Sequence, residues 1–167
     1  MVAREETEER DEAAFTADLL EAMEAAFRVV RALGLSPEET ADVLQDASIR
    51  AWRHRGKRRG AFRPWFLTIA YREARRPRRR WLTVPAFWVA GDDAGAASAS
   101  LERVAGALRE LPRRQRAAIS LRYDGDLTIS GVARVMRISE PAAKQLLARA
   151  RDTLRRMLAD ASEETSR

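Results

Sequence analysis

Apolar residues recur at steps of three and four along most of the chain, the period of helices with one buried face. From Asp11 to Leu33 the stripe is Phe15, Leu19, Leu20, Met23, Phe27, Val30 and Leu33, with acidic residues between, and Gly34 ends it. Ser36-Pro37-Glu38-Glu39 reads as the N-cap, first-turn proline and capping-box glutamate of a second helix. That helix carries Ala41, Leu44, Ala47 or Ser48, and Ala51 with Trp52 on one side. Gly56 to Gly60 is a basic turn. A third helix starts near Phe62, turns Trp65, Phe66, Ile69 and Ala70 inward, and stops or kinks before Pro77, whose ring removes a donor and crowds the preceding turn.

Residues 82–100 change to Pro85, Gly91, Asp92, Asp93, Gly95 and an Ala/Ser run, the composition of a linker. Phe87 and Trp88 inside it either dock on a domain or partner or cover the end of the first domain. Beyond Ser100 the helical period returns: Leu101, Val104, Leu108 and Leu111, then Pro112 with Ile119 and Leu121, then Thr128 to Met136, then Ser139 to Leu158. A short helix, a turn at Met136-Arg137-Ile138 and a longer helix opened by Ser139 make a helix-turn-helix, with Val132, Ala133, Ile138, Ala143 and Leu147 as its small core. The expected fold is all-α: an acidic tail 1–12, a domain 13–81, a linker 82–100, a second domain 101–158 and a tail 159–167.

Composition narrows the chemistry. The 167 residues hold no cysteine, which excludes disulfides, thiolate zinc sites, iron–sulfur clusters and cysteine nucleophiles. His54, between Arg53 and Arg55, is the one imidazole, and no G-x-S-x-G elbow exists. Gly56-Lys57 is followed by Arg58, so it is not a phosphate-binding P-loop. Neither catalysis nor a cofactor or metal is expected. With no run of 18 apolar residues and no signal-peptide order at the N-terminus, the expected location is the cytoplasm, with no membrane insertion.

The net charge of +6 conceals segregation: residues 1–27 carry −7, residues 50–81 carry +12, with Glu73 their single acid, and residues 101–167 carry +5. Lys57 and Lys144 are the only lysines; the other basic residues are arginines, which fork onto phosphate and stack on bases. Either a polyanionic partner or a general preference for arginine at the surface accounts for this. The acidic start, Glu5 to Glu12, reads as a solubilising tail, and its charge also suits it to fold over the arginine-rich stretch and compete with DNA.

Particular segments resemble the sigma-70 initiation factors of bacterial RNA polymerase in their small extracytoplasmic-function form. Asp42-Val43-Leu44-Gln45-Asp46 through Arg50-Ala51-Trp52 is similar to the family's polymerase-binding helix, and Phe62-Arg63-Pro64-Trp65-Phe66 through Ile69-Ala70 to its promoter-melting helix. Leu111-Pro112-Arg113-Arg114-Gln115-Arg116, Leu121-Arg122-Tyr123 and Ala143 to Arg151 resemble its minus-35-binding domain. The resemblance implies a non-enzymatic factor working at the nucleoid that binds core RNA polymerase at its largest-subunit coiled coil and flap, engages double-stranded and melted promoter DNA, and has an anti-sigma protein as partner. Asp42, Gln45, Asp46, Ile49 and Arg50 would meet polymerase. Arg63, Tyr71, Arg72, Arg75, Arg76 and Arg79 would meet the minus-10 element, with Tyr71 the candidate for an exposed aromatic. Arg122, Ser139, Glu140, Ala142, Ala143, Lys144, Arg149 and Arg151 would meet the minus-35 element.

The chain departs from the family pattern in two places. After Ile69-Ala70 the usual Arg-Asn and a later Asp are replaced by Tyr71, Arg72 and Arg76; an asparagine amide donates and accepts, whereas arginine only donates. In the helix-turn-helix, Gly131, Arg137, Ala142 and Leu146 stand where Glu, Gly, Thr and Arg are usual, and Arg137 is expected to need a left-handed backbone. These departures motivate an alternative: a sigma-like regulator that binds polymerase or another protein without normal promoter reading.

Overall fold

A computed structural model describes residues 2–76 and 99–165, with side chains from 9–76 and 103–160. The described residues form α1 (Val2–Arg31), α2 (Pro37–Arg53), a 3-10 turn (Arg55–Lys57), α3 (Phe62–Ala74), α4 (Ala99–Glu110), α5 (Arg113–Tyr123), α6 (Ile129–Met136) and α7 (Glu140–Thr165), with no strand among them. The expected linker with Phe87 and Trp88, apart from its last two residues, and Arg79 lie outside the described residues.

Helices α1, α2 and α3 pack on one another around Val29, Val30, Val43, Phe66 and Leu67, all fully buried. Gly34 turns the chain after α1 at φ 84°, a conformation open to glycine at little cost. The capping box forms as expected: Glu39 N–H donates to Ser36 Oγ at 3.1 Å, and Ser36 N–H to Glu39 Oε2 at 2.8 Å. The buried side of α2 is offset from the expected one. Thr40, Val43, Leu44, Ala47 and Ala51 face inward and Ala41 is exposed, because the helix is covered from two sides, by α1 and by α3. Helix α1 also begins at Val2 rather than Asp11, so the segment expected as a tail is its first turns. Its Glu, Ala and Arg content favours helix. At the other end α7 continues past Leu158 to Thr165, again through residues expected as a tail.

In the second unit α4, α5 and α6 all pack on α7, and Leu121, Val132, Ala143 and Ala150 fill its centre. Thr128 caps α6 by accepting from Gly131 N–H at 3.1 Å. Gly131 therefore sits in the first turn, not the interior, which softens its propensity cost. The two units meet where α6 lies on α3 and α5 on α1. Arg116 bridges the seam: its Nε donates to the Ala32 carbonyl at 2.7 Å, while its Nη1 donates within its own unit to the Arg109 carbonyl at 2.6 Å. Burial is the main cause that lowers the Arg116 pKa, with Arg113 adding and Glu110 opposing.

Candidate nucleic-acid interface

Packing of one face of α2 on α1 and α3 leaves Asp42, Gln45, Asp46 and Ile49 together on the other, all exposed. Ile49 is 45% exposed, an uncovered isoleucine among carboxylates. Arg50, expected on the same stripe, turns to α3: its Nε lies 2.6 Å from Glu73 Oε1 while 42% of its side chain stays exposed. The other oxygen of Glu73 takes Arg76 Nη1 at 3.0 Å. Glu73 itself is only 5% exposed.

The arginines of α3 are distributed unevenly. Arg72, Arg75 and Arg76 near its C-terminal end are exposed. Tyr71 is not: it is 3% exposed, because one turn after the fully buried Leu67 it shares that residue's inward face. Arg75 stacks over its ring at 5.6 Å. Arg63 points into the seam, donating Nη2 to the Asp124 carbonyl at 2.9 Å, and its buried Nε has no hydrogen-bond partner. Desolvation, and then the charge of Arg137 from α6's end, lower the pKa of Arg72. The packing of α6 on α3 thus brings basic groups of the two units together.

An aromatic cluster supports the basic turn. Phe15 meets Trp52 and Phe62 edge-on at 5.0 and 5.3 Å, and Trp65 meets Phe62 at 5.6 Å. Arg55 stacks on Trp52 at 3.7 Å, and Arg58 lies over Phe62 while pairing with Asp18 of α1 at 2.8 Å. Asp11, Phe15, Asp18, Arg55, Arg58 and Trp65 line a cleft of about 220 Å³. Among the described side chains, α1 contacts the arginine-rich stretch through Asp18, while the side chains of Glu5, Glu6 and Glu8 lie outside the described ones. The sequence showed Asp18 only as one of several acids between apolar positions, with nothing to say which faced the turn.

In the helix-turn-helix, Ser139 Oγ accepts from Ala142 N–H at 3.3 Å and so caps α7, and Glu140, Ala142 and Lys144 around it are exposed. Ala143 is fully buried, in the small core expected of the helix-turn-helix, and so does not also meet the minus-35 element as the resemblance implied. Arg149 and Arg151 are exposed further along. Arg122 is half-buried and ties the turn after α5 by donating to the Leu127 carbonyl at 3.1 Å. Arg137 takes φ 56°, ψ 52°, the left-handed conformation expected of it. Among the described residues no trio of His, Asp or Glu is grouped to hold a metal, and no helix is long and apolar enough to cross a membrane.

Residues 21–81 match the family of sigma-70 region 2, and residues 101–154 that of sigma-70 region 4. No curated protein sequence matches the chain. Among solved structures, the sigma factor RpoE in complex with the anti-sigma factor NepR from Bartonella quintana superposes with a TM-score of 0.69 at 20% identity, over 87% of this chain and 97% of that one. CnrH, in complex with the cytosolic domain of CnrY, gives 0.65 at 24% identity, over 89% and 90%.

Proposed function

The chain belongs to the sigma-70 family, with regions 2 and 4 both present, and from that premise we propose that it is an initiation factor of the extracytoplasmic-function type. It binds core RNA polymerase through α2 and directs it to promoters. The role is non-enzymatic and is exercised at the chromosome. The observation that carries this reading is the outer face of α2, where Asp42, Gln45, Asp46 and Ile49 stay exposed although the helix is otherwise packed. An apolar residue ringed by polar ones is the anatomy of an interface core with its rim. Arg72, Arg75 and Arg76 then neutralise phosphates of the melted minus-10 strand, and the start of α7 enters the major groove upstream, with Arg149 and Arg151 on flanking phosphates.

A regulatory protein partner fits the same reading, since one structural relative was solved bound to an anti-sigma factor. The alternative of a sigma-like regulator without normal promoter reading has an observation in its favour. Tyr71 and Ala143 are buried and Arg63 is engaged with Asp124, so three groups expected at DNA are committed elsewhere.

Run-off transcription with core polymerase on a genomic promoter library, with 5′ ends sequenced, tests the proposal. Starts sharing upstream motifs that vanish with Asp46→Arg are expected. Core binding in a parallel pull-down without specific starts would select the alternative, and absence of core binding would reject both polymerase readings.

A further inference from the structure

Glu73 carries no role in the reading above, yet it is the single acid in residues 50–81 and is buried between the helices assigned to the two partners. Its oxygens are divided, Oε1 to Arg50 Nε at 2.6 Å and Oε2 to Arg76 Nη1 at 3.0 Å. Resting on the proposed function, we infer that Glu73 is a positioning residue shared by the polymerase face and the DNA face, and that it makes Arg76 available to DNA only because Arg50 holds the carboxylate.

The chemistry follows from a buried carboxylate needing a cation. Two arginines satisfy it doubly, so one can leave without stranding the charge. Arg50 is the better anchor: it binds through Nε, and its exposed side chain leaves the Nη edge for polymerase. Arg76, 52% exposed just past the end of α3, is the one that exchanges Glu73 for a phosphate. Polymerase docking that fixes Arg50 on Glu73 thereby eases release of Arg76, and by linkage DNA held by Arg76 favours polymerase. Without Arg50, Arg76 would be retained as the one counterion left to Glu73 among the described residues.

The test uses full-length Glu73→Gln, Arg50→Ala and Arg76→Ala, each checked by thermal unfolding. Affinity is measured for core polymerase and, separately, for a mixed-sequence single-stranded oligonucleotide across a salt series. Glu73→Gln is expected to weaken core binding roughly three- to tenfold through loss of Arg50 positioning. It is also expected to steepen the DNA salt dependence by a fraction of the value of about 0.7 that one phosphate contact contributes, because wild-type Arg76 divides its time between Glu73 and DNA. The added slope should vanish in Glu73→Gln/Arg76→Ala. Arg50→Ala, which needs no change at Glu73 and covers the case of an unfolded Glu73→Gln, should make the DNA slope shallower although it lies on the polymerase helix. Loss of both affinities in step with melting temperature, or a DNA slope unchanged by Arg50→Ala, overturns the inference and leaves Glu73 a structural ion pair. Wild-type protein that fails to bind core overturns the proposed function, and shared positioning falls with it.

Discussion

Arg63, on α3, donates a 2.9 Å hydrogen bond to the main-chain carbonyl of Asp124, in the turn after α5. The side chain expected at the minus-10 element is thus a latch between the two units. Asp124 is held from a second side as well, its carboxylate 3.8 Å from Arg28 of α1. Arg63→Ala removes a charged donor from a half-buried site, a loss of about 1 kcal/mol after discounting for partial exposure. Because the chain has no cysteine, a dye pair on cysteines placed at the exposed Ala41 and Arg134 can report the separation of the units. Lower transfer efficiency in Arg63→Ala is expected; identical efficiencies would show that the latch does not hold the seam.

Gly125 is the close-approach point of the same seam. A Cβ there would lie 2.6 Å from the Leu121 carbonyl oxygen and 3.0 Å from Leu67 Cδ1 across the interface. The backbone oxygen cannot yield as a side-chain tip would, so Gly125→Ala should destabilise the protein by about 1–3 kcal/mol. Denaturant unfolding measures this, and an unchanged midpoint would contradict it.

Arg137 is the reverse case. Its left-handed backbone costs a non-glycine residue about 1–2 kcal/mol, part of which glycine returns as unfolded-state entropy. Arg137→Gly is therefore expected to stabilise the fold by roughly 0.5–1 kcal/mol. It also removes the positive charge that acts on Arg72. A fall in melting temperature would mean that the arginine side chain supplies more than the strain costs.

On the proposed function, Arg149 and Arg151 meet phosphates rather than bases. Alanine at either should weaken duplex DNA binding by a similar factor on all sequences and make the salt slope shallower by about 0.9. Lys144→Ala, near the start of α7, should instead alter sequence preference if the lysine reads a base edge. Binding selections on randomised duplexes separate the two outcomes, and a sequence-selective loss at Arg149 would reassign it.

Local rules made much of the fold legible. The capping box at Ser36 and Glu39, the glycine turn at Gly34 and the left-handed Arg137 each depend on a few neighbouring residues, and each stands in the structure as read. The polar stripe of Asp42, Gln45 and Asp46 is legible for the same reason, since helical spacing alone places those residues on one side, whereas Arg50, expected on the same face, turns to Glu73. Three-to-four periodicity finds a stripe but not its edges, so Ala41 is expected inward where the structure leaves it exposed, and Tyr71 is expected outside where the structure buries it. What covers a helix face is decided by other helices.

The sequence by itself therefore determined the helices, their caps, the helix-turn-helix and the clustering of arginine, because these follow from steric and charge preferences over one or two turns. Only the tertiary structure decided which charged groups are committed. Arg63 to Asp124, Arg116 to Ala32, Arg58 to Asp18 and Arg50 to Glu73 are choices among many available partners. Guanidinium groups donate to any nearby oxygen, so the selection for Arg63 and Arg116 is made by how α6 lies on α3 and α5 on α1, and for Arg58 and Arg50 by how α1, α2 and α3 pack, relations that no local spacing encodes.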